Sequence, residues 1–273
     1  MSRGRCVAVA LTAVLAGGAL SGCGGDGDDG ASAPIAQALA TTTTSAPSAQ
    51  ATPAEVPFSG QTSAEIVQSA TDVMGTLHTL TVDVTGEQDG EPIRLRMGMT
   101  SAGACAGHFL VGGGNIEIIS THKTAYLKGD RAGWIALVGG SDGAAVATAA
   151  KGKWLKTQTS SRSEFAGFCD LGDYVTSIAS PEEAGEMSTG GPVTVAGQET
   201  VLLSGPADDE GKVAVYVATR GRPYILKAVR TGPDGDTELL SGFNKPLTVN
   251  PPPPSQTVDI SGLHKPNGDG FSI

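Results

Sequence analysis

Aromatic residues make up only 4% of this 273-residue chain: six Phe, four Tyr and two Trp. A core so poor in rings has to close with aliphatic side chains or leave space inside. Histidine is equally scarce. His78, His108, His122 and His264 are scattered, with no i, i+4 pair of the kind that holds zinc on a helix, and read as ordinary strand or loop residues. No Gly-x-Ser-x-Gly elbow and no phosphate-binding loop occurs; Gly112 to Gly114 lacks the following Lys and Ser/Thr and reads as a turn. Asp234, Asp236 and Glu238 alternate like the start of a calcium loop. The sixth place of such a loop is Leu239 instead of Gly and the twelfth is Lys245 instead of Glu, so a type I′ turn at Asp234-Gly235 is expected there. No catalytic constellation, metal site or cofactor site emerges, which speaks against an enzyme. Basic residues are also in the minority, 18 Lys and Arg against 28 Asp and Glu. Nucleic acid and anionic headgroups are thereby disfavoured as electrostatic partners.

What the chain does have lies first at its start. Leu20-Ser21-Gly22-Cys23 is a lipobox, preceded by Arg3, Arg5 and an apolar run from Val7 to Leu20. Charged region, apolar region and small-residue cleavage site together read as a secretory signal over 1–22. The run is about 14 residues, short of the roughly 20 that span a bilayer. Cys23 is the expected lipidation site: its thiol carries diacylglycerol and cleavage leaves it as the first mature residue. Loss of Arg3 and Arg5 gives a mature chain with 16 basic and 28 acidic residues, a net charge of −12. Each buried methylene of the acyl chains contributes about 0.8 kcal/mol, so two chains anchor stably to the outer face of the cell membrane.

Residues 23–60 read as a tether. Gly24 to Gly30 is acidic and glycine-rich, and 31–57 is dominated by Ala, Thr, Ser and Pro. Too few large apolar groups are present to offset the ordering entropy. Such a coil has an r.m.s. span of roughly 35 Å. With Cys6 in the signal and Cys23 acylated, Cys105 and Cys169 remain, and in an oxidising exterior they most simply pair. The alternative, a reactive thiol or metal ligand, lacks a CxxC or a neighbouring His. A bridge closing about 65 residues contributes on the order of 4 kcal/mol.

The folded domain is expected over 61–262, with a polar tail at 263–273. Thr62 and Glu65 form a capping box, and Ile66, Val67, Ala70, Val73, Met74 and Leu77 recur at helical spacing. Leu80, Val82 and Val84, then Ile93, Leu95, Met97 and Met99, alternate with polar residues across a turn at Gln88 to Glu91, which predicts a one-faced hairpin. Further strands are expected at 107–111, 115–120, 124–128, 192–196, 199–204, 212–218, 224–231 and 236–242. Helical inserts are expected at 142–155 and 170–179, and Pro251 to Pro254 reads as polyproline II. Trp134 and Trp154 are candidates for a cavity wall, with core packing the default.

Several strings resemble actinobacterial lipoproteins of the LppX/LprG, LolA-like group. They are Thr124 to Gly129 (TAYLKG), Gly152 to Lys156 (GKWLK), Val195 to Glu199 (VAGQE), Val215 to Val217 leading to Gly221 to Leu226, and Gly242 to Val249 followed by Pro252-Pro253 and Val258-Asp259. The resemblance implies an α+β fold, a strongly curved antiparallel sheet forming a half-barrel over α-helices with an apolar cavity between them. It implies no catalytic residues, and a lipid or lipoglycan as a possible ligand. The Ala- and Gly-rich composition also suits an actinobacterium. The pattern agrees independently, since one amphipathic helix and many one-faced strands require a sheet curled over a helix.

Two functions follow. One is a carrier or binder of an acyl-bearing lipid, with Val67, Ala70 and Met74 on the helix stripe and Trp154 as a wall. The other is an interaction module for a membrane or cell-wall partner, without cargo.

Overall fold

In a computed structural model, the described residues are 58–88, 90–121, 123–158, 169–206 and 211–261. The signal segment, Cys23, the tether to residue 57, His122 and His264 lie outside them. The described residues form twelve strands and five α-helices. The chain opens with α1 (Ser63–Met74), whose first turn is closed by the expected capping box: Glu65 N–H donates to the Thr62 hydroxyl, and the Glu65 carboxylate accepts from Thr62 N–H. Five strands follow, β1 (Thr79–Gln88), β2 (Glu91–Thr100), β3 (Cys105–Val111), β4 (Gly114–Thr121) and β5 (Thr124–Gly129). Two helices follow: α2 (Arg131–Val138), where no helix was expected, and α3 (Gly140–Ala150), which covers most of the insert expected at 142–155. Gly139, at φ 93°, breaks the run between them.

The strand β6 (Trp154–Gln158) thus takes the residues assigned to the end of that insert. Next come α4 (Leu171–Ile178), α5 (Pro181–Ala184), β7 (Ser188–Val195), β8 (Gln198–Pro206), β9 (Lys212–Ala218), β10 (Ile225–Thr231), β11 (Asp236–Ser241) and the three-residue β12 (Thr257–Asp259). The turn before β11 is not type I′, which needs positive φ at both central residues. Positive φ falls at Gly232 and Asp234, and not at Gly235. Ala196-Gly197, between β7 and β8, does have it at both.

All twelve strands join one curved, open sheet in the order β12-β6-β5-β4-β3-β2-β1-β11-β10-β9-β8-β7. Every pairing is antiparallel except β12 with β6. The pleat sends alternate side chains to opposite faces. Leu80 and Val82 of β1, opposite Met99 and Met97 of β2, point to the inner face that the helices cover, and Thr81 and Asp83 point outward. On the outer face the chain leaves β11, passes β1 and runs over β2 to reach β6. His78 N–H donates to Asn244 Oδ1 at 2.7 Å and the Thr79 hydroxyl to the Lys245 carbonyl at 2.7 Å. Gly98 makes room for this strap: a Cβ there would lie 2.8 Å from Leu247 Cδ1.

Candidate functional site

The inner face of the sheet carries one large apolar cluster and a smaller one beside it. In α1, Ile66, Val67, Ala70 and Met74 form a stripe turned toward the sheet, while Gln68 and Asp72 face out. In α4, Leu171, Val175 and Ile178 do the same. These side chains join Leu80, Val82, Met97, Met99, Val201, Leu203, Val215, Val217 and Ile225 in one core. Val67 and Ala70 are 0% exposed and Met74 1%. Nothing the size of water touches the first two. Met74 Sδ also accepts the Ile225 N–H at 3.3 Å, beside an irregularity in the β9–β10 pairing.

All four methionines beyond Met1 (Met74, Met97, Met99 and Met187) belong to this core. Methionine is unbranched and adapts its shape to irregular space. The second cluster, under α2 and α3, gathers Ile116, Ala125, Leu127, Trp134, Ala150 and Leu155. Trp134 is fully buried in it, and its indole N–H has no hydrogen-bond partner among the described residues.

Three of the four residues expected to line a ligand site are therefore together. The fourth is elsewhere. Leu155 points inward onto Trp134, so its neighbour Trp154 points to the outer face, where Lys128 Nζ lies 5.7 Å from the ring centroid. Lys128 there also pairs with Glu117. Trp154 does not wall a space between α1 and the sheet. Cys105 and Cys169 are joined, with S–S 2.03 Å, which ties the start of β3 to the residue before Asp170, the N-cap of α4.

A polar cluster that the sequence pattern did not identify closes one end of the inner face. Arg230 of β10 sits opposite Asp236 of β11, and Ala228 opposite Glu238, so the three charged side chains share the inner face. Glu238 is 6% exposed; it accepts from Arg230 Nη1 at 2.6 Å and from the Tyr174 hydroxyl of α4. Arg230 Nη2 donates to the Ser177 and Ile178 carbonyls at the end of α4, at 3.1 and 3.4 Å. Asp236 Oδ1 lies 3.5 Å from Nη1, which makes a second ion pair with Arg230. Burial raises the Asp236 carboxyl above the usual range, and the Glu238 charge adds to this while Arg230 partly offsets it. Burial works against the Arg230 charge, but Glu238, with Asp236 adding to it, outweighs burial and raises the guanidinium above its ordinary value. Burial, then Glu238, drives the Tyr174 hydroxyl far above its ordinary value. The sequence signal for this cluster was Asp236 and Glu238 two residues apart, which puts both acids on one face of β11.

Beside this cluster opens a groove of about 630 Å³, between α5, the ends of β8 to β10 and the β10–β11 turn. Among the described residues no group of three or more His, Cys, Asp and Glu is placed to hold a metal ion.

The open, curved sheet with helices packed into its hollow is a half-barrel. Its similarity extends to LprF from Mycobacterium bovis, at 15% identity over 72% of this chain and 99% of that one, with a TM-score of 0.47. It extends also to the lipoprotein LppX of Mycobacterium tuberculosis, at 14% identity over 69% and 98%, with a TM-score of 0.44. The sequence matches no protein-family model and no curated protein.

Proposed function

We propose that this chain is an extracytoplasmic lipoprotein, anchored to the outer face of the cell membrane through Cys23, that binds or carries an acyl-bearing lipid inside the half-barrel. One observation carries the reading: the four methionines are all in the core under α1 and α4. A core meant only to be rigid is better built from branched side chains with fixed rotamers. Methionines allow the same walls to close on each other when empty and to part around an alkyl chain. Val67, Ala70 and Met74 of α1 then contact the chain. Trp154 is left out of the site.

The test uses the protein with ¹³C-methyl methionine. Titration with a fatty-acyl glycerol should shift the signals of Met74, Met97, Met99 and Met187, and lipid should accompany protein extracted gently from its native membrane. Absence of both effects sinks the carrier reading. The anchor has its own test: Cys23→Ala should release the protein from the membrane fraction or leave an uncleaved precursor.

A second reading has an observation of its own. Complete burial of Val67 and Ala70 fits an interaction module with a solid core, docking a membrane or cell-wall partner on its surface.

A further inference from the structure

The acid excess disfavours anionic headgroups for the chain as a whole, yet its charges are unevenly spread. Residues 121–156, from the end of β4 into β6, hold six of the 18 Lys and Arg and only two of the 28 Asp and Glu. Asp130 is committed to capping α2 and to the Asn115 side chain. Lys128 pairs with Glu117 and Lys156 with Asp259. Arg131, Lys151 and Lys153 are exposed and make no ion pair among the described residues. These three stand at the root of the α2–α3 pair. Arg131 opens α2 directly after β5, and Lys151 and Lys153 follow α3 directly before β6, the neighbour of β5.

The outward side of the same pair is apolar. Its inner side is already buried in the second cluster through Trp134 and Ala150. A helix so placed ordinarily turns charged residues to water. Between Arg131 and Lys151 the only charge is Asp142. Leu137, 38% exposed, is one of three large hydrophobic residues that are exposed among the described residues. Ala132, Ala136, Ala145 and Ala149 are exposed on the same two helices.

We propose that this corner is a second membrane contact besides Cys23: Arg131, Lys151 and Lys153 meet the phosphates of anionic phospholipids while Leu137 and the alanines enter the boundary below them. The proposal rests on the membrane-anchored location above and not on the lipid cargo. Cations beside a short apolar surface are what an anionic interface holds. Residues 169–187, which carry α4 and α5, have five acids and no base, so the same surface repels that part and the contact orients the half-barrel. A folded acidic partner would match the cations but leaves the apolar side unexplained.

The test uses the full lipidated chain on vesicles of phosphatidylcholine, alone or with phosphatidylglycerol, at physiological salt. With Cys23 acylated and Cys105 bridged to Cys169, Leu137→Cys supplies one free thiol for a polarity-sensitive dye. Gln68→Cys, on the exposed side of α1, is the control site. The dye at 137 should shift to the blue on the anionic vesicles and keep its aqueous spectrum on the neutral ones; the dye at 68 should stay aqueous on both. Lys151→Gln with Lys153→Gln should lower the ratio of shifted to unshifted dye about thirtyfold, roughly fivefold for each cation. Lys212→Gln with Lys245→Gln makes the same charge change elsewhere and should leave the ratio alone.

An aqueous spectrum at 137 on vesicles with which the protein still floats overturns the contact and leaves the anchor intact. So does an equal shift on neutral vesicles, or an equal loss from the distant pair. A blue shift that appears only when native membrane proteins are added gives the corner to an acidic protein instead. Protein that floats with neither kind of vesicle refutes the anchor, and the contact with it.

Discussion

Ala70→Trp puts the filled interior on trial. Ala70 is 0% exposed, on the face of α1 that meets the sheet, with Ile66, Val67 and Met74 around it. An indole has nowhere to go there unless the surrounding side chains part. Overpacking of a closed core costs about 1–3 kcal/mol. For a domain of roughly 200 residues each kcal/mol lowers the melting temperature by about 2–4 °C, so the fall should lie between about 2 and 12 °C. Thermal melting by circular dichroism measures it, with Gln68→Trp on the exposed side of the same helix as the control. Ligand gives the second half of the experiment. At a free concentration one hundred times its Kd, an acyl ligand stabilises the wild type by about 2.7 kcal/mol. Ala70→Trp, with the same space already occupied, should gain nothing. A variant that melts with the wild type and still responds to ligand would refute the placement of the chain under α1.

Three further outcomes are expected. Replacing Cys105 and Cys169 together by Ala should cost about 4 kcal/mol, since the bridge closes a loop with a sequence separation of 64; denaturant titration checks this, and loss of under 1 kcal/mol would mean the denatured chain is already constrained. Gly98→Leu should lift the outer strap off β2, seen as faster amide exchange over residues 243–250 with little change in the core. Asp130 caps α2 by accepting the Gly133 N–H at 2.7 Å, and that bond holds its carboxyl below the usual range. Its contribution is therefore present above the unfolded value near pH 4 and is lost as pH falls through the lower folded value. Asp130→Ala should cost about 1 kcal/mol at neutral pH, and the gap from wild type should close in melts run below about pH 3. A gap independent of pH would assign the loss to packing instead.

Local signals carried much of the architecture. Thr62 and Glu65 announced the start of α1, and period-two alternation located β1, β2, β4 and β9 to within a few residues, because each strand has one dry and one wet face. The outer strands were harder to read. β6 and β12 are short, and a three-residue strand shows no period at all. The Ala- and Gly-rich stretch before β6 showed α3 but carried its expected end into β6, and α2, a short helix just before it, gave no periodic signal. The helix stripe Val67, Ala70 and Met74 was legible as a buried face. That Trp154 points away from it was not, since the pleat parity depends on where β6 begins. The Tyr174, Arg230 and Glu238 cluster joins residues 64 and 8 positions apart, and nothing local couples them.

The place of β1 in the sheet sets a schedule for folding. It is the first strand among the described residues, yet it lies in the interior of the sheet, between β2 and β11. Its hairpin with β2 closes through a two-residue turn and forms on the microsecond scale. Its other edge waits for a partner 160 positions away, Thr81 against Ser241. A chain emerging from its N-terminus must therefore hold one edge of β1 unpaired in water until nearly all of it has arrived. β3 to β6 can add to one side meanwhile, with α2 and α3 covering the smaller cluster, and β7 to β10 can assemble as meandering hairpins of their own, but the larger core draws on both halves and closes only when β11 docks. The late step joins two preassembled halves and is slow for the reason that all long-range pairings are slow. Until then the exposed edge of β1 invites pairing with other chains. Any factor that guards this protein during biogenesis would have its greatest effect in that interval.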